Sequence, residues 1–197
     1  LRAIAVVAVI LFHFNKSWLP GGFVGVDIFF VISGYLITQI LLRHSLTVDA
    51  LRSFYVKRVR RIVPAYVVLL LLVTTAAAVL LTPQDFKHYW DSLLSALTFR
   101  ANQYFAGFGE YFAPRSTEWP LLHLWSIAIE MQFYLIFPFL LLVVPRRWMG
   151  VVLGGLALAL LAYSVDRLGD GQRSSAAYFS LLGRIPEFLV GSILAVT

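Results

Sequence analysis

The chain opens Leu1-Arg2-Ala3-Ile4-Ala5-Val6-Val7-Ala8-Val9-Ile10-Leu11-Phe12-His13, and this stretch decides the fold. Every residue between Arg2 and His13 is apolar, so the segment reads as a membrane helix carrying one cation and one titratable ring. A helix turns about 100° per residue, so His13 returns to within roughly 20° of the Arg2 face, about 16 Å further along the axis. Both side chains therefore look toward the same neighbours. Two readings stay open: ends that snorkel to the two interfaces, or ionisable groups lining a functional path through the bilayer.

The composition extends that reading to the whole chain. Its 197 residues are 60% hydrophobic and 13% charged, with a mean hydropathy of +0.82, which excludes a soluble domain. Sixteen Lys and Arg stand against ten Asp and Glu, a net charge of +6. These cations cluster between apolar runs, so the positive-inside rule accounts for them and no nucleic acid is implied. Cys is absent, which removes disulfides, thiolate nucleophiles and cysteine metal sites together. The chain has no initiator Met and both opens and closes inside apolar runs, so it is expected to be a fragment cut at both ends. Leu1–Phe14 lacks the basic start and small-residue cleavage site of a signal peptide.

About six spans are expected, giving an all-α polytopic transmembrane bundle. After the first, the polar link around Asn15-Lys16-Ser17 and Pro20-Gly21-Gly22 predicts a tight turn, and a second span covers about Phe23–Leu42. A basic link follows, with Arg43, Arg52, Lys57, Arg58, Arg60 and Arg61 against a single acid, Asp49. The third span is predicted over about Ile62–Leu81, with Pro64 in its first turn, where a missing N–H is harmless. The aromatic-rich polar interval Pro83–Pro120 is predicted to follow the membrane interface and to hold a short amphipathic or re-entrant helix. Spans at about Leu121–Val144 and Met149–Val165, a polar loop Asp166–Ser180, and a sixth span from near Arg184 complete the chain. Placing the basic link and Arg146-Arg147 in the cytoplasm puts the links at 15–22, 83–120 and 166–180 outside.

Four constellations carry candidate chemistry. The first is Arg2 with His13. The second is Gly21-Gly22-Phe23-Val24-Gly25-Val26-Asp27-Ile28-Phe29-Phe30-Val31-Ile32-Ser33-Gly34-Tyr35-Leu36, where glycines permit close helix packing and Asp27 must find a donor. Asp27 reads either as half of a buried Asp–Arg pair or as the acceptor that orients the His13 Nδ1–H. In the third, Lys57, Arg58 and Arg61 form a basic fork suited to phosphate, or serve only topology and anionic lipid. The fourth, His123-Leu124-Trp125-Ser126 through Glu130, Gln132 and Tyr134, puts His123 and Glu130 seven residues apart on one stripe, lining a polar space or forming a structural ladder. No G-x-S-x-G elbow, P-loop or H-E-x-x-H is present, and two scattered histidines give no reason to expect a metal.

In this order, the four sets resemble the membrane-bound acyltransferase family 3. The carrying residues are Arg2 with His13, Gly22 through Leu36, Arg58-x-x-Arg61-Ile62-x-Pro64, and His123-Leu124-Trp125-Ser126 with Glu130-x-Gln132-Phe133-Tyr134. Tyr111-Phe112 with Pro120 through His123, and Tyr178-Phe179-Ser180 with Arg184, Glu187 and Gly191, are similar to its O-antigen (lipopolysaccharide) and peptidoglycan O-acetyltransferase branch. Members of that branch often continue into an SGNH-type domain.

The resemblance makes residues 1–197 the N-terminal part of one integral-membrane acyltransferase domain in a bacterial inner membrane. It implies transfer of an acyl group, usually acetyl, from cytoplasmic acyl-CoA to a hydroxyl of a cell-surface polysaccharide or glycolipid. No tightly bound cofactor is implied; acetyl-CoA is the donor substrate. His13 would be the catalytic histidine with Arg2 as its partner, Lys57, Arg58 and Arg61 the donor side, and Asp27 and Glu130 polar members of the site. His123, Ser126, Tyr134 and Ser33 would line the pore. Met131 stands where the family usually has a second Glu, and later family spans would lie beyond Thr197, so the fragment alone is not expected to be active. The rival from another class is a non-catalytic transporter or flippase of lipid-linked sugars.

Overall fold

The computed structural model describes residues 1–43, 47–107, 119–168 and 174–197. Tyr111 and Phe112, and Glu110, Arg115 and Glu118 of the polar interval, lie outside the described residues. Within them every regular element is helical: α1 (Arg2–Phe14), α2 (Gly25–Leu42), α3 (Val48–Leu80), α4 (Pro83–Leu97), α5 (Ala101–Ala106), α6 (Leu124–Val143), α7 (Met149–Leu168), α8 (Ser174–Phe179) and α9 (Leu181–Val196). Segments Gly22–Leu42, Val48–Leu80, Leu124–Val143 and Arg146–Arg167 are long and apolar enough to cross a membrane. Of the six predicted spans, α1 and α9 are the shorter two, at 13 and 16 residues. The chain is thus an all-α multi-pass bundle.

The third span departs from expectation. The basic link and the aliphatic run form one continuous helix of 33 residues, about 50 Å long. Pro64 therefore sits inside α3 rather than in a first turn. Charge marks where a membrane surface lies, not where a helix stops: residues 48–61 contain no Gly or Pro, and Lys, Arg, Leu and Ala all favour helix. The helix starts instead at Thr47, whose Oγ1 accepts the Ala50 N–H at 3.2 Å. The predicted loop at 166–180 likewise carries helix at both ends, in α7 and α8, with 169–173 outside the described residues. The interval after Pro83 contains α4 and α5. Thr82 caps α4 and Pro83 occupies its first position.

Glycines set the two tight crossings. A Cβ on Gly34 of α2 would overlap the Phe188 backbone of α9, and one on Gly191 would overlap the Val31 carbonyl. Gly22 and Gly25 meet the Ala8 and Ala5 carbonyls of α1 in the same way. With lipid as solvent, such backbone-to-backbone approach supplies dispersion contacts that a larger side chain would block. Around the first crossing, Phe188 stacks on Phe30 at 4.6 Å and on Phe133 at 4.2 Å, joining α9, α2 and α6. The basic segments meet at one end, where the Arg146 guanidinium donates to the Leu42 carbonyl at 2.6 Å, completing the C-terminus of α2.

Candidate active site

Arg2, in the first turn of α1, reaches α2 and α6. Its Nη2 donates to Ser33 Oγ at 2.7 Å and lies 3.6 Å from Glu130 Oε1. Ser33 in turn donates to Glu130 Oε1 at 2.7 Å, and the Tyr134 hydroxyl donates to the same oxygen. Ser33 and Glu130 are buried. A carboxylate in such a place is tolerated because a guanidinium and two hydroxyls replace its water. Beside this group, Arg58 of α3 stacks over the Tyr134 ring at 5.2 Å and over Phe54 at 5.5 Å.

Three neighbouring cavities share lining residues here. A pocket of about 660 Å³ at the basic end is lined by Thr47, Asp49, Ser53, Lys57, Arg58 and Arg61 among others. Arg58 and Arg61 also line a middle pocket of about 480 Å³, together with Arg2, Glu130 and Tyr134. Val6 and Phe29 line both that pocket and a larger chamber of about 690 Å³. His13, His123 and Ser126 are the polar members of that chamber, set among Val9, Ile10, Val26, Trp125 and Ile127. The stripe predicted on α6 thus faces two neighbouring cavities, Glu130 and Tyr134 lining the middle pocket and His123 and Ser126 the chamber. Ser33 lines none of the three cavities; it is a relay between Arg2 and Glu130 rather than a wall.

His13 Nδ1 lies 2.8 Å from the Val9 carbonyl oxygen. A carbonyl only accepts, so Nδ1 carries the hydrogen, and in the neutral ring the lone pair sits on Nε2. The orienting group is therefore backbone, not Asp27. Asp27 Oδ1 instead accepts from Arg184 Nη1 at 3.0 Å, the Asp–Arg pair that was the other reading of its sequence. Arg184 also donates to Glu187 Oε1 at 3.2 Å and to the Tyr178 carbonyl at 2.9 Å. It stacks on Tyr178 at 4.1 Å and Trp125 at 5.6 Å. The cluster thus braces Trp125, a wall of the histidine chamber. Sequence reading assigned Arg184 and Glu187 no role, although their spacing of three on one helix face and the unmet need of Asp27 together pointed there.

His123 precedes α6 and is open to the chamber on one side. Desolvation by the surrounding helices, and then the nearby His13 ring, hold its imidazole below the ordinary range. It is therefore neutral at pH 7. Ser126 Oγ donates to the His123 carbonyl at 3.2 Å, tightening the first turn of α6.

Residues 1–196 match the family model described as "Acyltransferase domain". A peptidoglycan O-acetyltransferase OatA of Listeria monocytogenes is 38% identical over 204 residues, covering 99% of this chain and 32% of the relative. An O-acetyltransferase OatA of Staphylococcus aureus (strain NCTC 8325 / PS 47) is 36% identical over 208 residues, covering 99% and 33%. A protein of Staphylococcus aureus (strain COL), provisionally named an O-acetyltransferase, is 40% identical over 207 residues, again covering 99% and 33%. The chain spans about a third of the length of these curated relatives. No solved structure matches it.

Proposed function

Because the chain belongs to the acyltransferase-domain family, we propose that, in the full-length protein, it moves an acetyl group from cytoplasmic acetyl-CoA to a carbohydrate hydroxyl on the far side of a bacterial inner membrane. One observation carries the reading: the basic fork and His13 border a row of three cavities, each sharing wall residues with the next. The positive-inside rule makes the fork cytoplasmic. Lys57, Arg58 and Arg61 then suit the phosphates of CoA, with Arg supplying planar, bidentate donors. Glu130, Ser33 and Tyr134 hold Arg2 in the passage between fork and chamber. The relatives' names favour a cell-wall sugar as acceptor, and a further extracytoplasmic SGNH-type domain would fit such a substrate.

The chemistry follows from the His13 tautomer. With Nδ1–H on the Val9 carbonyl, Nε2 takes the proton of the acceptor hydroxyl as that oxygen attacks the thioester carbonyl. A C–O bond forms, the C–S bond breaks as the tetrahedral intermediate collapses, and the imidazolium returns its proton to the departing thiolate. In the covalent variant Nε2 attacks first, and an acyl-imidazole is then discharged by the alcohol. Asp27 acts as a positioning residue through Arg184 and Trp125.

The test uses full-length protein in liposomes with acetyl-CoA inside and acceptor glycan outside. Wild type should give acetylated glycan and His13→Ala should not; equal transfer by both removes His13 from the mechanism. Translocated but unmodified glycan would support the flippase instead. Labelled acetyl trapped on His13 without acceptor separates the covalent route from direct transfer. Arg58→Ala should weaken CoA binding, with a reduced dependence on salt.

A further inference from the structure

The middle pocket and the histidine chamber differ in kind. Three guanidinium groups, from Arg2, Arg58 and Arg61, face a single carboxylate, Glu130, in the first. The second is walled by aliphatic and aromatic side chains around two imidazoles and a hydroxyl. Val6 of α1 and Phe29 of α2 are the side chains common to both. These two side chains form the boundary between the cationic pocket and the chamber that holds His13.

Phe29 is the firmly held half of this septum, since Val6 is 45% exposed. Gly25 of α2 packs against the Ala5 carbonyl and within 2.8 Å, by its would-be Cβ, of Val9 Cγ2, which fixes how closely α1 and α2 approach at the level of Val6. Phe29 is pinned from the cationic side, where the Arg2 guanidinium lies 4.9 Å from its ring centroid. Arg2 is itself tied to Ser33 and Glu130. The Phe29 ring therefore cannot turn toward the cationic pocket without displacing Arg2 from that network.

Resting on the acyl-transfer reading, we propose that Val6 and Phe29 select the acyl group by size, admitting acetyl and rejecting longer chains on their way to His13. The polar groups of the donor remain on the cationic side, where the arginines balance phosphate charge, and only the small apolar acyl end enters the chamber. One methylene more or less in a fitted apolar site changes a rate by about 10–200-fold, so a septum of two side chains suffices for a sharp preference.

The experiment compares acetyl-, butyryl- and hexanoyl-CoA as donors for the full-length protein in liposomes, in wild type, Phe29→Ala, Phe29→Leu and Val6→Ala. The readout is the butyryl-to-acetyl ratio of kcat/KM within each variant, which partial misfolding leaves unchanged because it lowers both rates together. Wild type should favour acetyl. Phe29→Ala should raise the ratio about tenfold or more, and Val6→Ala and Phe29→Leu should raise it less. If wild type acetylates the glycan and the ratio stays within about twofold in Val6→Ala and in whichever Phe29 variant folds, the septum is not the selector. A wild type that transfers no acyl group from any donor removes the acyl-transfer reading, and the selector with it.

Discussion

Replacing Glu130 tests whether charge or hydrogen bonding holds the centre of the bundle. The Arg2 guanidinium lies 3.6 Å from Glu130 Oε1, an attraction of about 5 kcal/mol at an effective dielectric constant near 20. Truncating one partner of a buried ion pair costs about 3–5 kcal/mol, mostly because the other charge is left uncompensated. The Ser33 hydroxyl, bonded to both charges, makes by contrast two interhelical hydrogen bonds, and such bonds in membrane bundles average about 0.6 kcal/mol each, about 1.2 kcal/mol together. Glu130→Ala should therefore destabilise at least about twice as much as Ser33→Ala. Glu130→Gln keeps an oxygen for Ser33 and Tyr134 but no charge, so it should resemble Glu130→Ala. Removing both charges, in Arg2→Met with Glu130→Met, should recover most of the loss. Unfolding free energies from steric trapping in bicelles measure each variant. A Glu130→Gln protein within about 1 kcal/mol of wild type would refute the reasoning and make Glu130 a hydrogen-bond acceptor first.

Two further outcomes follow from the packing and the titration. Gly34→Ala drives a Cβ into the Phe188 backbone and should cost about 3 kcal/mol or more, abolishing folded protein in fluorescence-detected size exclusion. Gly155→Ala, with nothing within 4 Å of its Cβ, should elute as wild type; equal behaviour of the two variants would remove the glycine crossing as a determinant. For His123, the depressed pKa means that the unfolded chain binds its proton at higher pH than the folded one. Its contribution is complete above the unfolded value near 6.5 and is lost as pH falls below it. Thermal melts between pH 7 and 5 should show that slope, and His123→Gln should flatten it.

The apolar run with Arg2 and His13, the long spans at α2 and α6, and the basic fork were legible in the sequence because each is a local pattern that the membrane imposes. Without water, the backbone must bond to itself, so hydropathy alone marks the helices. Helical periodicity likewise put Arg2 and His13 on one face and His123 and Glu130 on one stripe. The extent of α3 was not legible from charge, since basic residues end a membrane crossing without ending a helix.

Only the tertiary structure decided partnership. The sequence required a donor for Asp27 but could not choose between His13 and an arginine; Arg184, 157 positions away, became that donor because Gly34 and Gly191 let α9 lie against α2. The same crossing, with the α1 contact at Gly25, sets Val6 beside Phe29 and divides the space between the arginines and His13. Local composition dictates which segments cross the bilayer and which carry charge. Which charges meet depends on interhelical distances, and these are set by backbone contacts between residues far apart in the chain.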